Sequence, residues 1–192
     1  MSAPVTAEPL AAAAATLAAR LAGITVEVRS HGRGSSAGAP AGAGVVWRGD
    51  GLILTNAHVA GGPVSVVLPD RRVLPARLAA RDVEHDLAAL VVEATGLSAA
   101  QIGDSDALRV GELVLAVGNP LGVARALSAG LVHAAGRRFI QADLRLAPGN
   151  SGGPLADARG RVIGLNAMIV GALAVAVPSR VGWRFVRERL RS

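Results

Sequence analysis

The chain has 192 residues, 51% of them hydrophobic, no cysteine and a formal net charge of +6. A chain of this length buries about 70% of the surface it exposes unfolded, enough for one compact unit or two small barrels sharing an interface, which excludes disorder over most of its length. Disulfides and thiolate metal sites are excluded as well; the basic residues are all Arg and scattered, and with only Trp47, Phe139, Trp183 and Phe185 as aromatics no basic stripe with stacking rings exists, so nucleic acid is not an expected partner.

The N-terminus carries Glu8 where an export signal has basic residues, and Arg20 interrupts the Ala-rich stretch that follows. No secretory signal, membrane anchor or transmembrane segment is therefore expected, and the sequence assigns no compartment; as written it reads as cytoplasmic. Leu10, Ala14, Leu17 and Leu21 recur at helical spacing, with Pro9 in the first turn and Gly23 at the stop, which predicts a helix over about 8–22. Ile24, Val26 and Val28 then alternate with polar residues as in a half-buried strand.

Residues 32–43, rich in Gly, Ser, Ala and Pro, read as a flexible loop whose glycines lack the strand-to-helix setting of a dinucleotide site, so no cofactor is expected. Short strands follow near 44–48, 51–55, 64–68, 72–80 and 87–92, and a second series near 112–118, 127–135, 138–142, 154–156, 161–167 and 172–177. Two groups of about six strands, joined through about 94–110, predict an all-β fold of two six-stranded antiparallel β-barrels, the first over about 24–95 and the second over about 110–178. A last helix, about 179–191, begins after Pro178 with Ser179 as its cap and Val186 and Leu190 toward the body. The whole chain, 1–192, reads as one domain.

Chemistry concentrates in three short segments. Gly149-Asn150-Ser151-Gly152-Gly153-Pro154 sets one serine among glycines that leave its hydroxyl and nearby N–H groups open. Thr55-Asn56-Ala57-His58-Val59 supplies a base and Asp86-Leu87-Ala88 a carboxylate. A serine hydroxyl needs a positioned base, and the base needs a partner that fixes its tautomer and stabilises its imidazolium, so Ser151, His58 and Asp86 fit these roles in the order His, Asp, Ser. The N–H groups of Gly149 and Ser151 are the oxyanion donors. Alone, the glycine-flanked serine would read as a turn, His58 as a structural histidine and Asp86 as a surface charge; their conjunction carries the catalytic reading.

His85 is set aside as the base because it adjoins Asp86, and adjacent strand residues face opposite ways. Asp82 lacks the apolar strand that follows Asp86. His31 and His133 stand alone, and without paired His/Glu spacing no metal is expected.

With Asp50 to Val59, Asp86-Leu87-Ala88-Ala89-Leu90, Gly103-Asp104-Ser105-Asp106, Arg109-Val110-Gly111-Glu112, Gly118-Asn119-Pro120-Leu121-Gly122, Phe139 to Asp143, Pro148 to Leu155, Val162 to Asn166 and Ala176 to Ser179, the chain from about Gly42 to Ser179 resembles the trypsin-like serine proteases, specifically the HtrA/Deg branch. The resemblance implies a two-barrel endopeptidase of protein quality control that cleaves unfolded or flexible polypeptides through an acyl-enzyme, with His58, Asp86 and Ser151 as the triad. Relatives usually append a peptide-binding PDZ domain, and none is expected in this polypeptide. Many form trimers through N-terminal aromatic residues; residues 1–46 contain none, so the oligomeric state stays open. Relatives commonly work in the periplasm or outside the cell.

Zymogen-activated relatives carry an aspartate before the nucleophile, whereas Asn150 offers no ion pair, so activity is expected without N-terminal processing. Arg145, Leu146, Pro148, Asn166, Ala167 and Met168 are the candidate substrate-binding residues. Their mostly apolar character favours small or medium aliphatic side chains at the cleavage position, with Arg145 turned to solvent because a buried unpaired charge is costly. The alternative from another class is a chaperone-like or scaffold module that binds unfolded chains with little turnover.

Overall fold

The computed structural model describes residues 7–31, 39–119 and 126–190. A helix, α1 (Ala7–Ile24), leads into β1 (Thr25–Ser30), β2 (Ala39–Arg48), β3 (Leu52–Thr55), β4 (Val64–Val67), β5 (Val73–Asp82) and β6 (Leu87–Val91). A short 3-10 turn at Ser105–Ala107 lies on the way to β7 (Leu113–Gly118), β8 (Ala126–Ala135), β9 (Ile140–Asp143), β10 (Pro154–Asp157), β11 (Val162–Val170), β12 (Leu173–Pro178) and a second helix, α2 (Ser179–Arg189). Each set of six strands closes into an antiparallel barrel, in the orders β1-β2-β3-β6-β5-β4 and β10-β11-β12-β9-β8-β7. The expected all-β, two-barrel architecture with a helix at each end is the one this chain adopts.

Three apolar clusters hold it. Val26, Val28, Ile53, Val66 and Leu90 fill the first barrel, and Val114, Val132, Ile140, Leu155 and Ile163 the second. The third cluster joins the barrels: Val45, Leu52, Leu54, Leu87 and Ala89 of the first meet Leu115, Val117, Leu165 and Val177 of the second, with Leu21 of α1 and Phe185 of α2 at its margins. Strands buried on both faces, such as β3 with all four residues buried, read as continuous apolar runs because one face lines a barrel and the other the joint.

Three local expectations change. α1 continues through Gly23 to Ile24, and the Thr25 hydroxyl then donates to the Leu21 carbonyl at 2.7 Å. β2 begins at Ala39, inside the stretch read as loop, because β1 supplies its partner: Arg29 faces Pro40 and Ser30 faces Ala39. Ser179 is the first residue of α2 and not its cap; its hydroxyl donates to the Gly103 carbonyl at 2.8 Å and ties the helix start to the connection between barrels. The turn sequence Gly118 to Gly122 extends beyond the described residues at 120–122.

α2 buries Val181, Phe185 and Val186 and leaves Arg184, Arg187 and Arg189 exposed. Trp183 stands edge-on to Trp47 of β2, with ring centroids 5.8 Å apart and planes at 72°, so α2 also grips the first barrel. Phe185 is 3% exposed, and replacing it with alanine leaves a void at the joint. Phe185→Ala is expected to cost about 3–5 kcal/mol of unfolding free energy, read from urea denaturation.

Candidate active site

β3 ends at Thr55, and the chain turns at once: the Val59 and Ala60 N–H groups both donate to the Asn56 carbonyl. That turn lifts His58 out of the barrel, with its side chain 51% exposed. Between β5 and β6 a second tight turn ends on Asp86, whose φ of 52° lies in the left-handed region that aspartate tolerates better than most residues. The turns lock together. Asp86 Oδ1 accepts from the His58 backbone N–H at 3.1 Å, the two carboxylate oxygens lie 3.0 and 2.8 Å from His58 Nδ1, and the Asn56 side-chain amide donates to the Asp86 carbonyl at 3.0 Å. An ionised carboxylate only accepts, so Nδ1 carries the proton in this pair and a neutral imidazole keeps its Nε2 lone pair free.

Ser151 comes from the second barrel, ahead of β10. Asn150 N–H donates to the Ala147 carbonyl at 3.0 Å, closing a turn over Pro148 and Gly149, and Gly149 takes a φ of 102° as the third position of a type II turn requires. No backbone carbonyl of the described residues accepts from the Gly149 or Ser151 N–H groups. The first barrel reaches across to hold this segment: Ala43 N–H of β2 donates to the Ser151 carbonyl at 2.7 Å, while the Thr55 hydroxyl donates to the Ala43 carbonyl at 2.7 Å. The second barrel holds its other side, with Gly152 N–H on the Asn166 carbonyl at 2.7 Å and Asn166 N–H on the Gly153 carbonyl at 2.9 Å.

The Ser151 hydroxyl donates to the Ala167 carbonyl at 3.0 Å. Ala167 lies where the β11/β12 pairing shifts register between Asn166 and Met168, a bulge that frees its carbonyl from the ladder. A hydroxyl has one proton, so in this rotamer it is directed at β11 and not at the imidazole.

Beside Ser151 opens a cleft of about 300 Å³ lined by Leu146, Ala147, Pro148, Asn150, Ser151, Met168 and Ile169. Of the candidate substrate residues, Leu146, Pro148 and Met168 line it. Arg145 is exposed outside the lining; Asn166 is fully buried with its amide on the Pro154 carbonyl at 3.0 Å, and Ala167 is buried with only its carbonyl directed at Ser151. Ala147 and Ile169 are residues that sequence reasoning missed. Ile169 is 51% exposed next to Met168 at 44%, an exposure set by the fold that the sequence marks only as an apolar run, Met168 to Val170, ahead of Gly171.

A second histidine–carboxylate pair lies on the same β5/β6 turn: Asp82 Oδ2 is 2.8 Å from His85 Nδ1 and Asp82 Oδ1 accepts from the His85 N–H at 3.1 Å. His31 also has a partner, with Nε2 2.8 Å from the Ser65 hydroxyl. Among the described residues no three His, Asp or Glu side chains converge to hold a metal ion, and no helix is long and apolar enough to cross a membrane.

The trypsin-like peptidase domain family matches residues 42–165. A probable periplasmic serine endoprotease, DegP-like, from Ectopseudomonas mendocina is 40% identical over 167 residues, which cover 79% of this chain and 35% of that protein. The putative serine protease HhoB of Synechocystis is 43% identical over 142 residues, covering 67% of this chain and 34% of that protein. The chain thus spans about a third of the length of these curated relatives. Among solved structures, the HtrA-type protease AlgW with a decapeptide superposes with a TM-score of 0.83 at 28% identity, over 92% of this chain and 67% of that one.

Two outcomes follow from the geometry. A Cβ on Gly152, whose φ is 84°, would sit 2.2 Å from the Ala43 carbonyl oxygen and 2.3 Å from the Thr55 hydroxyl. Gly152→Ala is expected to separate the Ser151 turn from β2 and to lower the melting temperature, by about 2–4 °C for each kcal/mol of cost. Burial tends to raise the Asp82 carboxyl, but hydrogen bonds from the His85 N–H and imidazole, together with the nearby Arg189 charge, outweigh it and hold the group below its ordinary 3.8. A carboxyl depressed on folding adds stability that is complete above the ordinary value and drains away as pH falls through the folded one. The stability difference between wild type and Asp82→Asn, measured by urea titration from about pH 6 to about pH 2, is therefore expected to shrink toward acid.

Proposed function

The chain belongs to the trypsin-like peptidase family, and from that premise we propose that it is a serine endopeptidase of the HtrA/Deg kind, cleaving polypeptides through an acyl-enzyme on Ser151. The observation that carries this reading is the union of two barrels at one point: His58 Nδ1 lies 2.8 Å from Asp86 in the first barrel while β2 of that barrel grips the Ser151 carbonyl of the second at 2.7 Å.

In the proposed mechanism the Ser151 hydroxyl leaves the Ala167 carbonyl and gives its proton to His58 Nε2 as its oxygen bonds to the scissile carbonyl carbon. Such contacts often tighten only when substrate is bound. Asp86 holds Nδ1–H and stabilises the imidazolium, and the open Gly149 and Ser151 N–H groups receive the negative oxygen. His58 then returns the proton to the departing amine. Water, deprotonated by the same imidazole, releases the acyl group and restores Ser151.

The substrate we infer is an extended, unfolded or flexible polypeptide. Leu146, Pro148, Met168 and Ile169 give the cleft apolar walls, which suit a small or medium aliphatic side chain, and Arg145 lies outside them. Asn150, 95% buried in the turn, makes no ion pair and so needs no new N-terminal ammonium. The second reading, a binder of unfolded chains with little turnover, draws on one observation: the Ser151 hydroxyl rests on Ala167.

Fluorophosphonate labelling and casein turnover separate the readings. Wild type is expected to label and Ser151→Ala not to, with turnover lower by about 10⁴- to 10⁶-fold, and peptides with valine or leucine at the cleavage position are expected to outrun one with aspartate. Equal turnover by Ser151→Ala would remove the assignment. An unlabelled wild type that still prevents casein aggregation would establish the second reading.

A further inference from the structure

We propose that Asp82 and His85 are positioning residues that hold Asp86 against His58, fastened from outside by Arg184 of α2. The inference rests on the proposed roles of His58 and Asp86 and concerns the turn that delivers the carboxylate. Only Val83, Glu84, His85 and Asp86 separate β5 from β6. Asp86 must take its left-handed φ of 52° there, and its N–H makes only a long bond, 3.3 Å, to the Val83 carbonyl. A residue held in a sparsely populated conformation keeps it only where its surroundings over-determine it.

The residue before Asp86 supplies that determination. Both Asp82 oxygens are engaged by His85, one by its N–H at 3.1 Å and the other by Nδ1 at 2.8 Å. The far side of the same imidazole, Nε2, lies 3.2 Å from Arg184 Nη2. A guanidinium only donates, so Nε2 accepts, and Nδ1–H donates its hydrogen bond to Asp82. The chain Asp82, His85, Arg184 thus runs from the end of β5 through the turn to α2, and all its polar contacts are made away from the cleft. It repeats the pattern of the His58 and Asp86 pair one residue earlier, yet His85 offers no free nitrogen lone pair for proton transfer. Its effect on the reaction acts through the peptide it shares with Asp86. A displacement of about 1 Å at a catalytic group can cost about 100-fold in rate, which makes this restraint a matter of turnover as well as of folding.

The test uses the full chain with His85→Ala, His85→Asn and Arg184→Ala, reading kcat and KM on one peptide and the proton resonance of His58 Nδ1–H, identified by its disappearance in His58→Ala. His85→Ala is expected to lower kcat about tenfold to a hundredfold with KM within about twofold, and to shift or broaden the His58 resonance. His85→Asn keeps an amide donor in the place of Nδ1–H and is expected to recover kcat to within about threefold of wild type. Arg184→Ala, at an exposed position, keeps the experiment decisive if His85→Ala fails to fold; it is expected to lower kcat by about threefold or more and to move the same resonance. The proposal is overturned if the folded variants keep kcat within about twofold and the His58 resonance stays in place. If wild type shows no Ser151-dependent turnover, the endopeptidase reading fails separately, and the resonance alone decides whether Asp82 and His85 position Asp86.

Discussion

One backbone hydrogen bond sets the terms for the rest of the molecule: the Ala43 N–H of the first barrel on the Ser151 carbonyl of the second, at 2.7 Å. Its net energy is on the order of 1 kcal/mol, far below what the joint's apolar cluster contributes, so it does not hold the barrels together. It determines where they meet. A shift between them would change the distance from Ser151 to His58, and this bond, with the Thr55 hydroxyl braced on the Ala43 carbonyl, fixes that distance from the main chain. The same closeness dictates composition. A Cβ at Gly42 would lie 2.7 Å from the Ser151 carbonyl oxygen, and only a residue without one lets β2 approach so near.

The two halves of the site are prepared to different degrees. His58 and Asp86 are fixed by several bonds between two turns of one barrel. Ser151 has its backbone clamped from both sides while its hydroxyl rests on a carbonyl that the bulge at Ala167 sets free. In the proposed mechanism, the rotation that brings the Ser151 hydroxyl to His58 is then confined to one small side chain.

Much of this was legible in the sequence because its causes are local. Alternation in β1 and the apolar runs of β3 and β6 follow directly from which faces are buried, and the short segments around His58, Asp86 and Ser151 carry their chemistry in adjacent residues. What escaped depends on distant partners. Ala39 to Ala43 looked like a loop because small residues have weak strand propensity, and it becomes a strand only once β1 pairs with it. In the sequence His85 reads only as a rival base; its contacts need the turn to close on Asp82 and α2 to bring Arg184 from 99 residues away. Ser179 looked like a cap, but the tertiary fold places Gly103 within reach of its hydroxyl.

The contact between Trp47 and Trp183 gives the molecule an optical property of its own. The chain has two tryptophans and no tyrosine, so these rings make up nearly all of its near-ultraviolet absorption and emission. One ring is 4% exposed on β2 and the other 54% exposed on α2. Light emitted by this protein therefore reports chiefly on whether its last helix is seated on its first barrel, and that helix also carries Arg184.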